Sequence, residues 1–166
     1  MNTNSEQHCI SLLVANKPGV LIRIALVFSR RGYNLDSVVV SPTHETAFSR
    51  MNLVVRGNPE TLHQIIKQLS KLVDVIHVAD HTGEDIIEGE LLYIKVACPS
   101  THRTELLQIA DHFRARSVDL TADSITFELT GKTAKLNAFQ TMLEPHGILE
   151  SVRSGKLIMA RGRFAT

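Results

Sequence analysis

The residues best suited to bind a small ligand lie in one short segment, 16–21, with the sequence Asn-Lys-Pro-Gly-Val-Leu. Gly19 allows the backbone to approach a bound group closely. If a helix begins here, the N–H groups of Gly19, Val20 and Leu21 have no partner within it, and with the helix dipole they suit a carboxylate or a phosphate. The side-chain amide of Asn16 can both donate and accept a hydrogen bond. The same residue types also suit a plain strand-to-helix turn, which is their more common use.

A second polar residue, Asn34, follows Gly32 and Tyr33 and precedes a predicted strand that begins at Leu35. Gly32 occupies the position where the end of a helix favours a left-handed residue. Asn34 is then either a turn residue with a local hydrogen bond, which is the more common outcome, or a polar contact for a ligand.

The other reactive side chains form no recognisable catalytic or metal-binding pattern. Of the eight histidines, no pair at i, i+4 spacing is supported by a carboxylate. His77 and His81 could share one end of a sheet, where we expect them to be solvated. Neither Cys9 nor Cys98 has a partner at Cys-x-x-Cys spacing, and we predict that both are buried thiols. Because G-x-S-x-G and P-loop motifs are also missing, we predict no catalytic residue and no metal ligand.

One hypothesis of an enzyme function rests on a resemblance to a known enzyme family. The segment 18–23, Pro-Gly-Val-Leu-Ile-Arg, is similar to the phosphate cradle of the acylphosphatases, a βαββαβ enzyme family. That similarity implies a small hydrolase in which Arg23 belongs to the cradle. The strand that would hold the catalytic Asn, 36–41, contains no Asn. The acylphosphatase hypothesis therefore loses most of its support.

Hydrophobic periodicity predicts the order βαββαβ twice along the chain. In the first half it predicts helices from Val20 and from Asn58–Pro59, and strands over 9–15, 35–41, 48–56 and 74–80. In the second half it predicts helices over 105–115 and 133–143, and strands over 91–97, 118–121, 125–129 and 148–160. The fold class is therefore α+β, with two ferredoxin-like domains at residues 8–81 and 90–162 and a polar linker at 82–89.

The composition excludes several classes of partner. The 166 residues include 18 basic and 17 acidic side chains, so the net charge of +1 attracts neither nucleic acid nor an anionic membrane. With 5% aromatic residues and no Trp, base stacking is not expected either. No apolar run approaches the roughly 20 residues that span a bilayer, and two cysteines suit a reducing cytoplasm. Because each small sheet leaves its edges uncovered, we predict at least a dimer.

The combination of segment 16–21, Arg31-Gly32-Tyr33-Asn34 and Ser49-Arg50-Met51 resembles the small, regulatory subunit of acetolactate synthase (acetohydroxyacid synthase). The first half resembles the ACT domain of that family. The similarity continues in segments 68–75, 92–96, 129–131, 147–150, 153–155 and 160–162, and it covers essentially the whole chain after the first seven residues.

The resemblance implies a non-catalytic protein that associates with a large thiamine-diphosphate enzyme, activates it, and confers feedback inhibition by valine or a related branched-chain amino acid. No cofactor is expected in this chain; thiamine diphosphate, FAD and magnesium are expected on the catalytic subunit. ACT domains of this type pair side by side into an eight-stranded sheet, which implies a homodimer. The effector would then lie between two protomers, with one contributing Asn16, Gly19, Val20 and Leu21 and the other contributing Asn34 and Leu35.

The second unit and the identity of the effector give further expectations. The corresponding loop of the second unit, 98–103, reads Cys-Pro-Ser-Thr-His-Arg and has no glycine, so we predict that it binds no amino acid. A free-standing amino-acid sensor that acts on another enzyme or on a transcription factor is the alternative function. The preferred amino acid also stays open, since a pocket for valine accepts leucine or isoleucine at modest cost.

Overall fold

The structure, a computed structural model, describes residues 6–163 and residue 166. It divides the chain into two compact units, one within residues 1–87 and 156–166 and the other over 88–155.

The first unit is an antiparallel sheet with two helices on one face. Its elements are β1 (Glu6–Ala15), α1 (Val20–Ser29), β2 (Leu35–Pro42), β3 (Phe48–Gly57), α2 (Pro59–Leu69) and β4 (Val75–Asp80). The predicted βαββαβ order is confirmed. The spatial strand order is β2-β3-β1-β4, in which β2 and β4 are the edges.

The core of this unit lies between the helices and one face of the sheet. Ile10, Leu12 and Val14 alternate along β1 and are at most 2% exposed. They form one cluster with the apolar stripes of the helices, which include Phe28 of α1 and Ile65 of α2. These positions were identified in the sequence because apolar residues recur every two residues in the strand and about every 3.6 residues in the helices.

Local signals in the sequence set the helix ends. Asn58 caps α2 as predicted, because its side-chain oxygen accepts a hydrogen bond of 2.8 Å from the N–H of Glu60. Gly32 follows α1 with a φ of 69°, the left-handed conformation predicted for it.

Gly57, at the end of β3, has no room for a side chain. A Cβ built on it would lie 1.9 Å from Cε1 of Tyr33, whose hydroxyl donates a 2.7 Å hydrogen bond to the carbonyl of Asn58. We expect Gly57→Ala to displace the Tyr33 ring and to lower the free energy of unfolding by about 1–3 kcal/mol, the usual cost of overpacking. Urea denaturation measures the change. Gly89→Ala is the control, because no atom lies within 4 Å of the added Cβ; equal losses in both variants would contradict this prediction.

The second unit repeats the topology of the first. Its elements are β5 (Ile86–Ala97), α3 (Arg103–Phe113), β6 (Arg116–Leu120), β7 (Ser124–Gly131), α4 (Thr133–Leu143), a 3₁₀ turn (Glu144–His146) and β8 (Ile148–Arg153). The strands have the spatial order β6-β7-β5-β8, which matches β2-β3-β1-β4 element by element. Leu92, Phe127 and Phe139 belong to its core and are fully buried. Cys98 joins that core as a free buried thiol, as predicted.

A nearly buried carboxylate in the second unit is paired with an arginine. Glu90 is 8% exposed, and its Oε2 lies 3.6 Å from Nη1 of Arg153. The hydroxyl of Thr133 also donates to Glu90. Nη2 of Arg153 donates a 2.7 Å hydrogen bond to Oδ1 of Asn137, which connects β8 with α4.

The segment 156–166, which contains β9 (Leu157–Ala160), belongs to the first unit. Ile158 packs there with Cys9 and Val54, which face away from the helices, and all three side chains are buried. The burial of Cys9 as a free thiol was predicted. The segment therefore covers part of the sheet face that the helices leave open.

Polar contacts also hold this segment. The N–H of Lys156 donates a 3.3 Å hydrogen bond to Oγ of Ser37 on β2. Arg50 of β3 donates to the carbonyl oxygen of Thr166, and partial burial lowers the pKa of the Arg50 guanidinium.

The predicted domain boundaries stay predictions, and the contact pattern divides the chain at other residues. The predicted second domain, 90–162, includes residues 156–162, which lie in the first unit by their contacts. β5 begins at Ile86, within the predicted linker 82–89. Ile86 packs against the cluster of Cys9, Val54 and Ile158. The polar residues around Ile86 conceal this strand start in the sequence.

Candidate functional site

The predicted donors lie at the start of α1, immediately after β1. Gly19 is the N-cap and has a φ of 81° and a ψ of −7°, a left-handed conformation that favours glycine. The N–H of Val20 lies 3.5 Å from the carbonyl of Lys17, at the limit of a hydrogen bond. The N–H groups of Gly19 and Leu21 lie at the start of the helix, where no helix carbonyl is placed to accept their hydrogen bonds. A short row of backbone donors is therefore available at this turn.

Asn16 has only half of its side-chain amide available to a ligand. Its Nδ2 donates a 2.9 Å hydrogen bond to the carbonyl of Thr46, and its backbone N–H donates to the carbonyl of Ala47 at 2.8 Å. These bonds tie the first loop to the turn between β2 and β3. The oxygen, Oδ1, is left as an acceptor, which suits an ammonium group.

Asn34 and Leu35 lie at the opposite end of the same sheet. Ala15, beside the first loop, pairs with Phe48, whereas Leu35 pairs with Val55. Seven residues of β3 separate these positions, or about 23 Å at roughly 3.3 Å per residue. One protomer therefore does not bring Asn34 and Leu35 to the loop that contains Asn16 and Gly19.

Asn34 is exposed and already makes a local contact. Its Nδ2 donates a 3.3 Å hydrogen bond to Oδ1 of Asp36, and Asp36 forms an ion pair with Arg56 at 2.7 Å. Within residues 6–163 and 166, the side-chain oxygen of Asn34 accepts no hydrogen bond, so it is available as an acceptor. Asn34 and Leu35 also line an open cleft of about 480 Å³ at the end of α1, bordered by Ser29 and Tyr33.

An ion pair beside Gly19 was not identified as part of the site from the sequence. Nη2 of Arg23 lies 2.5 Å from Oδ2 of Asp74. The carbonyl of Asp74 accepts a 2.8 Å hydrogen bond from the N–H of Ala15, which places Asp74 directly beside the first loop. The four-residue spacing between Gly19 and Arg23 could have indicated that Arg23 lies near this turn, since residues four apart on a helix lie on the same face.

His81 is buried, so the expectation that it is solvated was wrong. It is 5% exposed, with Nε2 2.8 Å from Oγ of Ser11 and Nδ1 2.8 Å from Oε2 of Glu84. A hydroxyl, an imidazole and a carboxylate in a row have the geometry of a catalytic triad. Ser11 is 0% exposed, however, so a substrate cannot reach its hydroxyl. The arrangement joins β1 to the residues that follow β4.

The loop of the second unit that corresponds to the first loop has a different geometry. Its helix N-cap, His102, has a φ of −102° instead of the left-handed conformation of Gly19. Nη2 of Arg103 donates hydrogen bonds of 3.1 and 3.2 Å to the carbonyls of Thr121 and Ala122. That this loop binds no amino acid stays a prediction.

Two findings concern other kinds of site. Within residues 6–163 and 166, no group of three or more His, Cys, Asp and Glu side chains is arranged to hold a metal ion. In the same part of the chain, no helix has the length and apolar character needed to cross a membrane.

Comparison with known proteins gives a consistent result for both halves of the chain. Residues 10–77 match a family model described as an AHAS small subunit-like ACT domain. Residues 89–162 match a second model, described as the small subunit of acetolactate synthase. The two matches together include both repeats of the βαββαβ unit.

Full-length relatives agree with the family models. The chain is 44% identical to a probable acetolactate synthase small subunit of Archaeoglobus fulgidus, over 94% of this chain and 98% of that protein. It is 40% identical to the acetolactate synthase small subunit of Mycolicibacterium smegmatis, over 98% and 95%. The crystal structure of the acetolactate synthase small subunit of Thermotoga maritima superposes with a TM-score of 0.86 at 34% identity, over 96% and 99%. The chain therefore belongs to the family of acetolactate synthase small subunits.

Proposed function

We propose that this chain is the regulatory subunit of an acetolactate synthase. In this role the chain activates the catalytic subunit and makes it sensitive to valine or a related branched-chain amino acid. The main support for this proposal is the turn at Gly19. Its backbone N–H groups can donate hydrogen bonds to a carboxylate, and they lie where the family resemblance places the effector. The chain itself is non-catalytic. Thiamine diphosphate, FAD and magnesium belong to the catalytic subunit.

The polar groups at the first loop complement an amino acid. The N–H groups of Gly19 and Leu21 suit the carboxylate of the effector. The oxygen of Asn16 suits its ammonium group, since the Nδ2 of Asn16 is already bonded to the carbonyl of Thr46. An effector that binds at micromolar to millimolar concentration needs only about 4–8 kcal/mol, which a few such contacts supply.

A homodimer explains how Asn34 reaches this loop. If β2 pairs antiparallel with β2 of a second copy around a two-fold axis, the start of one strand lies beside the end of the other. The end of β2, Pro42, pairs with Ser49 of β3, next to the first loop. Asn34 of the partner subunit would then approach Gly19. Occupancy of a site built from both protomers is linked to the arrangement of the dimer, as allosteric output requires.

The apolar surface near this edge supports the same dimer. Val38 and Val40 of the edge strand β2 are 38% and 43% exposed. On α1, Leu21 and Ile22 are 47% and 66% exposed. An edge strand with exposed valines readily pairs with another strand, and the helix side chains enlarge the apolar area that a partner can bury.

The test is acetolactate formation by the catalytic subunit with and without this chain, combined with a valine titration. We expect the chain to raise the rate and valine to lower it again. An unchanged rate would contradict the proposed activation. A raised rate that no branched-chain amino acid lowers would contradict the proposed feedback.

We expect Asn34→Ala to raise the valine concentration for half-maximal inhibition by about ten-fold or more, the value of one hydrogen bond to a charged group. Activation without valine, measured in the same assay, reports assembly with the catalytic subunit. Gln68→Ala, on the exposed side of α2, is the control. Unchanged inhibition in the Asn34 variant would show that Asn34 is only a turn residue.

A further inference from the structure

We propose that Arg23 binds the carboxylate of the effector, so that the site requires a ligand with a free carboxylate group. This inference rests on the proposed function, because it assigns a residue and a ligand requirement to the same effector site. Its starting point is the ion pair of Arg23 with Asp74 beside the first loop.

The position of the guanidinium supports this role. The side chain of Arg23, one turn into α1, points back toward the start of the helix, as helical side chains do. A Cβ built on Gly19 would lie 3.2 Å from Nη1 of Arg23 and 4.0 Å from Cζ. Nη1 therefore lies against the turn whose N–H groups we assign to the carboxylate.

The two ends of the guanidinium fork have different surroundings. Nη2 donates to Oδ2 of Asp74 at 2.5 Å, which fixes the plane of the group. Nη1 has no hydrogen bond to any residue in the described ranges 6–163 and 166. The Arg23 side chain is 47% exposed, so a ligand at the loop can reach it.

A planar guanidinium recognises a carboxylate better than a backbone turn alone. It adds charge-assisted N–H donors to the donors of the helix start, and its geometry matches the two oxygens of a carboxylate. Because Asp74 already holds one side of the group, little side-chain entropy is lost when the other side binds. An amino-acid amide, which has no carboxylate charge, makes the weaker contact.

The experiment measures the binding of valine and of valinamide to the full-length chain by calorimetry, for the wild type, Arg23→Gln and Arg23→Lys. We expect the wild type to prefer valine. Arg23→Gln should weaken valine binding about ten-fold or more and reduce its preference over valinamide. Arg23→Lys, which keeps the charge, should recover part of both. Lys67→Gln, an exposed charge change on α2, should alter neither.

The outcomes separate this inference from the proposed function. If the wild type binds valine and Arg23→Gln binds it equally well, the assignment of Arg23 is wrong and the proposed function stands. If Arg23→Gln weakens valine and valinamide by the same factor, Arg23 only stabilises the loop, and the carboxylate assignment is again overturned. If the wild type binds no branched-chain amino acid, the proposed function fails, and the role of Arg23 fails with it.

Discussion

Replacing Gly19 with alanine is expected to raise the valine concentration for half-maximal inhibition by about 10- to 100-fold. Alanine at a φ of 81° is strained by about 1–2 kcal/mol, and its methyl group would lie 3.2 Å from Nη1 of Arg23. The loop must shift to relieve both effects. A shifted loop misplaces the backbone donors at residues 19–21 and the guanidinium together, and each hydrogen bond to a charged ligand contributes about 1.5–3 kcal/mol.

Gly83→Ala is the matched control for this experiment. Gly83 has a φ of 76°, but nothing lies within 4 Å of its added Cβ. Both variants should therefore lose the stability that a left-handed backbone costs alanine, as measured by urea denaturation, while only Gly19→Ala loses sensitivity to valine in the acetolactate assay. Equal sensitivity in the two variants would show that the Gly19 turn serves only the geometry of the chain.

Replacing Arg153 with alanine is expected to lower the free energy of unfolding of the second unit by about 1–3 kcal/mol. Glu90, at 8% exposure, would then keep a carboxylate without its ion-pair partner. The loss is expected because the charge left on the nearly buried Glu90 cannot recover its full hydration. The bond from Arg153 to Asn137, which connects β8 with α4, is lost as well.

Tyrosine fluorescence follows this unfolding. The chain has two tyrosines and no tryptophan, so in a Tyr33→Phe background Tyr93 reports on the second unit alone. Lys95→Ala is the control, because its 3.2 Å pair with Glu150 is exposed and contributes at most about 1 kcal/mol. The double variant Glu90→Gln/Arg153→Ala should recover part of the loss. A loss under 1 kcal/mol in Arg153→Ala would contradict the importance of the pair.

Local patterns predicted most of the fold. Periodicity located the helices and strands, and the cap at Asn58 and the left-handed Gly32 follow from the residues themselves. These features depend on neighbours in sequence. The contacts that prediction did not provide join distant parts of the chain, such as Ser11 with His81 and Cys9 with Ile158. No periodicity in either partner specifies which distant residue it meets.

The candidate site divides in the same way. The position of Gly19 at the start of α1 could be predicted, because the apolar spacing becomes helical at Val20. The sequence left open whether the amide of Asn16 donates or accepts. The bond from its Nδ2 to the carbonyl of Thr46, thirty residues away, is a long-range contact that the sequence does not specify, and it leaves Oδ1 as the available acceptor. The approach of Arg23 to Gly19 depends on Asp74, which belongs to the turn before β4. The family resemblance supplied Asn34, which geometry within one protomer does not.

The position of segment 156–166 has a consequence for synthesis on the ribosome. Chains emerge from their N-terminus, and domains generally fold in that order. Residues 6–80 can form their sheet early, but Ile158 reaches Cys9 and Val54 only after the whole second unit has been translated. Until then the nascent first unit presents this apolar patch to solvent and to chaperones. The domain that is translated first is therefore completed last.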